Sequence, residues 1–144
     1  MKQSLSAISL CIFLLTLPGC GGGGDNNSVV PQPTVDVTGT WDATMTVTGG
    51  TQAPPGFQFT ATFTLAQSGT SVSGTFATEG GLSGQVSASL SGQTINFTIT
   101  QGLPCTGSFT GAAAVSTSGT QINGSYSGSD CNGSLSASFV ANKR

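Results

Sequence analysis

From Val35 onward the chain alternates apolar and polar residues with a period of two, the repeat of a strand that buries one face. Val35, Val37, Gly39, Trp41, Ala43, Met45 and Val47 share one parity, while Asp36, Thr38, Thr40, Asp42, Thr44 and Thr46 hold the other. The alternation returns over 57–65, 72–76, 82–90, 95–99, 109–115, 122–126 and 135–141, which predicts eight strands with one apolar face each. No window after the first twenty residues carries a helical repeat. Ser68-Gly69-Thr70-Ser71, Ser91-Gly92-Gln93-Thr94 and Ser118-Gly119-Thr120-Gln121 read as three versions of one hairpin turn, because short Gly-containing turns between alternating runs mark hairpins.

Strands joined in this way form a meander, and closing a meander removes its two exposed edges. The predicted fold is therefore all-β, an eight-stranded antiparallel up-and-down meander barrel, with a two-sheet β-sandwich as the alternative. Glycines 39, 74, 84, 107, 111 and 124 fall on the apolar parity, where strand glycines mark bends or close backbone approach and let short strands coil into a narrow barrel. A membrane-spanning barrel also alternates, but its strands need about 9–11 residues and aromatic girdles at both ends. Most runs here are shorter, and girdles are missing.

Ahead of the alternating region the pattern is different. Lys2 is followed by an apolar run over 7–17 interrupted only by Ser9 and Thr16, the build of a secretory signal and too short for a spanning helix of about 20 residues. The run ends in Leu17-Pro18-Gly19-Cys20, which resembles the lipobox of bacterial lipoproteins. The resemblance implies that residues 1–19 are a lipoprotein signal peptide, that Cys20 is the lipidation site, and that the mature chain is held on a membrane by acyl chains such as palmitate. Gly21, in place of the Asp associated with inner-membrane retention in that family, favours the outer membrane, so the implied location is the cell envelope, facing the periplasm or the surface. Residues 20–34, opening with Gly21-Gly22-Gly23-Gly24 and closing with Pro31 and Pro33, form a flexible Gly/Asn/Pro tether. A single β-barrel domain then occupies 35–144, enough chain for one core.

Charge narrows the chemistry. Between Cys20 and Asn142 there is no Lys, Arg or His, and only Lys143 and Arg144 oppose Asp25, Asp36, Asp42, Glu79 and Asp130 in the mature chain. A nucleic-acid binder needs clustered cations to neutralise phosphates, so nucleic acid is not an expected partner. General acid–base catalysis draws on His or on a tuned carboxylate or Lys, and nucleophilic sites place a base beside Ser or Cys. With no His, no interior Lys and carboxylates scattered among turns and outward positions, the sequence predicts no enzyme, no catalytic residue, no metal site and no cofactor.

With Cys11 in the signal and Cys20 lipidated, Cys105 and Cys131 are left as a pair, and an exported chain favours a disulfide between them. In a meander they flank the strand around 122–126. Straight across one strand is roughly 9–10 Å, too far for the bond, so the bridge is expected between two loops at one barrel end.

Gly39-Thr40-Trp41 resembles the G-x-W element of lipocalins and related eight-stranded barrels. The resemblance implies that Trp41 plugs one end of the barrel and that a basic residue of the last strand, Lys143 or Arg144, packs over it. A barrel of this size is either filled by its side chains or holds one small ligand. Inward glycines and alanines are expected to leave room, and the candidate lining is Trp41, Phe57, Phe59, Phe63, Phe76, Phe97 and Tyr126. Two functions fit: a lipocalin-like module binding a small apolar ligand, or a structural or interaction lipoprotein with a filled barrel core.

Overall fold

The computed structural model describes residues 35–144; the expected signal peptide, the expected lipidation site Cys20 and the expected tether lie outside the described residues. Eight strands follow one another: β1 (Gly39–Gly50), β2 (Gln58–Ser68), β3 (Ser71–Thr78), β4 (Ser83–Ser91), β5 (Thr94–Gln101), β6 (Gly107–Val115), β7 (Gln121–Asp130) and β8 (Gly133–Lys143). Each pairs antiparallel with its chain neighbours, and β8 returns to β1, giving a closed barrel in meander order. Closure leaves no free edge, which settles the choice against the sandwich.

The register places one parity of every strand inside. Trp41, Phe63 and Phe76 are successive cross-strand partners, as are Ile99 and Phe109. The opposite parity exposes mainly Ser, Thr, Asn and Gln. Neutral polar side chains thus solvate a barrel that carries very few charges.

Several inward aromatics sit directly across from glycine: Phe76 opposite Gly84, Phe97 and Tyr126 both opposite Gly111, Phe109 opposite Gly128, and Phe139 opposite Gly124. A Cβ at Gly111 would come within 2.3 Å of the Ser125 carbonyl oxygen and 2.6 Å of the Phe97 ring. Glycine there lets adjacent backbones close up while the facing ring covers the gap, a device that coils a sheet. The expectation that inward glycines leave open space is therefore corrected, since the neighbouring strand and ring occupy it.

Two of the three similar turns behave alike. Gly69 and Gly92 open two-residue loops with φ of 60° and 59°, the positive value that tight hairpins ask of their first central residue. The third does not match: Ser116 N–H donates to the Gln121 carbonyl and Gly119 N–H to the Ser116 carbonyl, which gives a longer loop. Its Ser116 hydroxyl accepts from the N–H groups of Thr120 and Gln121, replacing the missing ladder bonds.

The barrel has unlike ends. At one, Val35 and Val37 keep the apolar parity but precede β1; instead of extending it they lie buried, with Val37 fully so. Trp41, also 0% exposed, donates its indole N–H to the Val37 carbonyl at 2.9 Å. Gln67 clasps the segment by accepting from Val37 N–H and donating to the Val35 carbonyl. Lys143 Nζ stands 5.6 Å from the centre of the Trp41 ring and donates to the Asp36 carbonyl. Arg144 forms a two-pronged ion pair with Asp42. This end is sealed, and Lys143 takes the place over the tryptophan that the G-x-W resemblance implied.

The other end gathers the connections 51–57, 79–82, 102–106 and 131–132. Cys105 and Cys131 are bonded there with Cα atoms 5.4 Å apart. They join two connections at one end, but not across an intervening strand. Gly107 pairs with Asp130, so the bridge closes the open end of the β6–β7 hairpin, between chain segments that are already neighbours.

Candidate functional site

The open end leads into a cavity of about 580 Å³, within the few hundred to 1,000 Å³ typical of small-molecule sites. Phe57, Phe59, Phe63, Phe76 and Tyr126 of the expected lining surround it. They are joined by Met45, Ile99, Phe109 and Leu135 from the same inward parity, and by Leu82 from the β3–β4 connection. Phe57 falls just outside β2 and is 53% exposed, so it stands at the rim, with its ring 6.4 Å from that of Phe59.

Trp41 and Phe97 do not reach this space. They border a separate inner void of about 50 Å³ toward the sealed end, with Phe139, Ile95 and Val86. Its exposed lining is entirely apolar. Met45, Phe63, Ile99 and Tyr126 line both spaces and form the floor between them. Phe109 and Phe139 were legible candidates, because both share the parity of the chosen aromatics; they pack edge-on or tilted against Tyr126.

The polar side chains lining the cavity are Gln52, Gln58, Thr60, Thr78, Glu79 and Gln101, and two of them, Gln52 and Gln101, are held by Asp130. This residue sits on the inward parity opposite Gly107, not at an outward or simple turn position as expected from sequence. Its Oδ1 accepts from Gln52 Nε2 at 2.8 Å and from Asn132 N–H at 2.7 Å, while Oδ2 accepts from Gln101 Nε2 at 3.0 Å. Gln101, only 5% exposed, also donates from Nε2 to the Cys105 carbonyl. The carboxylate thereby ties β5, the β1–β2 connection and the disulfide-bearing turns into one rim. With both sulfurs in the disulfide, the grouping of Cys105, Cys131 and Asp130 offers no thiolate to a metal.

Burial pushes the Tyr126 phenol up to about 12, so the hydroxyl is protonated at neutral pH. Among the described residues it has no hydrogen-bond partner, yet it is not sealed from accessible space. At the sealed end the carboxyls of Asp36 and Asp42 are held below their ordinary value, the first by hydrogen bonds from Thr38 and the second by the Arg144 guanidinium. Both cations of the described chain are thus engaged away from the cavity, whose lining includes Glu79, with Asp130 bonded to the lining residues Gln52 and Gln101.

No family model matches the chain, and no curated protein is significantly similar to it. Among solved structures it is similar to a redesigned β-barrel, mFAP1, solved bound to DFHBI, at 17% identity and a TM-score of 0.50, covering 75% of this chain and 94% of that one. The likeness is one of fold: the chain shares the small eight-stranded barrel architecture.

Proposed function

We propose that this protein is an envelope-anchored binding module that takes up a small apolar molecule through the open end of its barrel. The observation that carries the reading is the cavity of about 580 Å³, lined mainly by apolar side chains, in a barrel whose opposite end is plugged by Trp41. A filled core would leave no such space. That a barrel of similar fold was solved with a small molecule bound supports the reading by analogy. The proposed role is binding, in keeping with a cavity lined mainly by apolar side chains.

Titrating the purified protein with a fluorescent apolar probe tests the proposal. Saturable one-to-one binding is expected, and Phe63→Trp, which fills the floor, should weaken it at least tenfold. Binding that is unsaturable, or that is indifferent to filling the floor, sinks the idea.

The anchor is the second part of the proposal and rests on Leu17-Pro18-Gly19-Cys20 after an apolar run. Attachment through more than one acyl chain is stable, as each buried methylene contributes roughly 0.8 kcal/mol. Cys20→Ser is expected to abolish metabolic labelling with palmitate and leave an unprocessed or mislocalised precursor. Normal maturation and membrane retention of that variant would remove the lipoprotein reading while leaving the cavity untouched.

A further inference from the structure

We infer that the cavity selects a neutral, ring-sized apolar molecule that carries a hydroxyl-type group, recognised by the Tyr126 hydroxyl and the Gln101 side-chain carbonyl. The inference rests on the binding reading above and adds to it the class of ligand. Two polar atoms that the protein leaves without partners inside its own barrel are the basis.

The first is the Gln101 carbonyl. The orientation of this amide is fixed by its neighbours: Asp130 Oδ2 and the Cys105 carbonyl both accept from it, so the NH₂ group must face them. Both of its N–H bonds are thereby used. Oε1 has no partner among the described residues, although the side chain is 5% exposed and borders the cavity. What is left is an oriented acceptor, and an acceptor calls for a donor on the ligand.

The second is the Tyr126 hydroxyl. Buried tyrosines ordinarily find a hydrogen-bond partner, but the groups packed around this ring are Phe109 and Phe139. Its oxygen is nevertheless not fully buried, and the residue lines the cavity. A molecule that fills the cavity displaces water from this hydroxyl, and leaving it then unmatched is costly, so a molecule that also pairs with it is preferred over one that only fills the space. A site built around hydrogen-bonding groups rejects the analogue lacking them, because its own polar atoms are then stranded.

Charge removes carboxylates from the candidates. Glu79 is the carboxylate in the cavity lining, Asp130 holds the lining residues Gln52 and Gln101, and Lys143 and Arg144 are both at the sealed end. An anionic headgroup would meet like charge in a low-dielectric rim without a cation to pair it. The aromatic walls, with Phe59, Phe63 and Phe76 on adjoining strands, suit a ring system.

Calorimetric titration with 2-naphthol, its apolar isostere 2-methylnaphthalene and 2-naphthoate tests the inference. In the unaltered protein 2-naphthol is expected to bind at least as tightly as 2-methylnaphthalene, despite its greater affinity for water, and naphthoate at least tenfold more weakly. Tyr126→Phe removes one oxygen and no packing; it should lower the naphthol-to-methylnaphthalene affinity ratio about three- to tenfold. Gln101→Met, checked for an intact fold by its melting curve, should lower the same ratio. A ratio unchanged by Tyr126→Phe, a clear preference of the unaltered protein for methylnaphthalene, or naphthoate binding as tightly as naphthol overturns the inference while the cavity remains a binding site. Failure of every probe to bind overturns the inference and the binding reading together.

Discussion

Replacing Trp41 with alanine is expected to cost about 3–5 kcal/mol of folding stability, the range for deleting a fully buried aromatic. Three contributions act at this position. The indole is 0% exposed, it holds the Val37 carbonyl through its N–H, and Lys143 lies over its face. Its removal would join the inner void to the sealed end and release the 35–38 segment that covers the barrel floor. Trp41→Phe separates these effects: it keeps most of the plug and loses the N–H bond, at about 1 kcal/mol plus a modest packing loss. Urea unfolding followed by circular dichroism gives both values. If the alanine variant lost less than about 1 kcal/mol, Trp41 would be dispensable and the sealed end would be held by Gln67 and Lys143.

Loss of the disulfide should have an effect of similar size by a different route. Cys105 and Cys131 are 26 residues apart, and in the chain-entropy treatment such a loop restricts the unfolded chain by roughly 3–4 kcal/mol. In the native state the bond joins strand ends already paired through Gly107 and Asp130, so it adds little new contact, and most of its effect falls on the unfolded state. The Cys105→Ser, Cys131→Ser double variant should melt at least about 10 °C lower, at about 4–8 °C per kcal/mol for a domain slightly smaller than this one. Strand content at low temperature should be unchanged. An unshifted melting temperature would mean that pairing and packing at the mouth restrain this loop without help.

The strands and their meander order were legible because a period of two survives along nearly the whole domain and no competing period interrupts it. Gly69 and Gly92 announced their turns for a local reason, the positive φ that each loop requires. Where parity persists without a ladder, the pattern misleads: Val35 and Val37 alternate in step with β1 but cross the floor of the barrel. Ser118-Gly119 copied the other turns in sequence, while the Ser116 hydroxyl drew two backbone N–H groups into a wider loop.

The candidate site was half legible. Inward aromatics follow from parity, and five of the seven chosen residues surround the main cavity. Depth along the barrel does not follow from parity, which is why Trp41 and Phe97 belong to the inner void. Gln101 and Asp130 went unrecognised because a polar residue at a strand end ordinarily marks departure into solvent. Asp130 is bonded to Gln101, 29 residues away along the chain, and to Gln52, 78 residues away, and no local signal connects positions so distant.

The sealed floor also gives the barrel a direction. The described chain begins at Val35, on the plugged side, so any tether leading from a lipidated Cys20 arrives at the end opposite the mouth. A Gly-rich coil of about 15 residues has a typical reach of roughly 20 Å, comparable to the height of a barrel whose tilted strands of about nine residues rise some 3.3 Å each. On the proposed lipoprotein reading, the opening would then be free to face away from the bilayer, toward the aqueous phase. The proposed anchor would then act as a mooring that leaves the aperture free to sample the surrounding fluid.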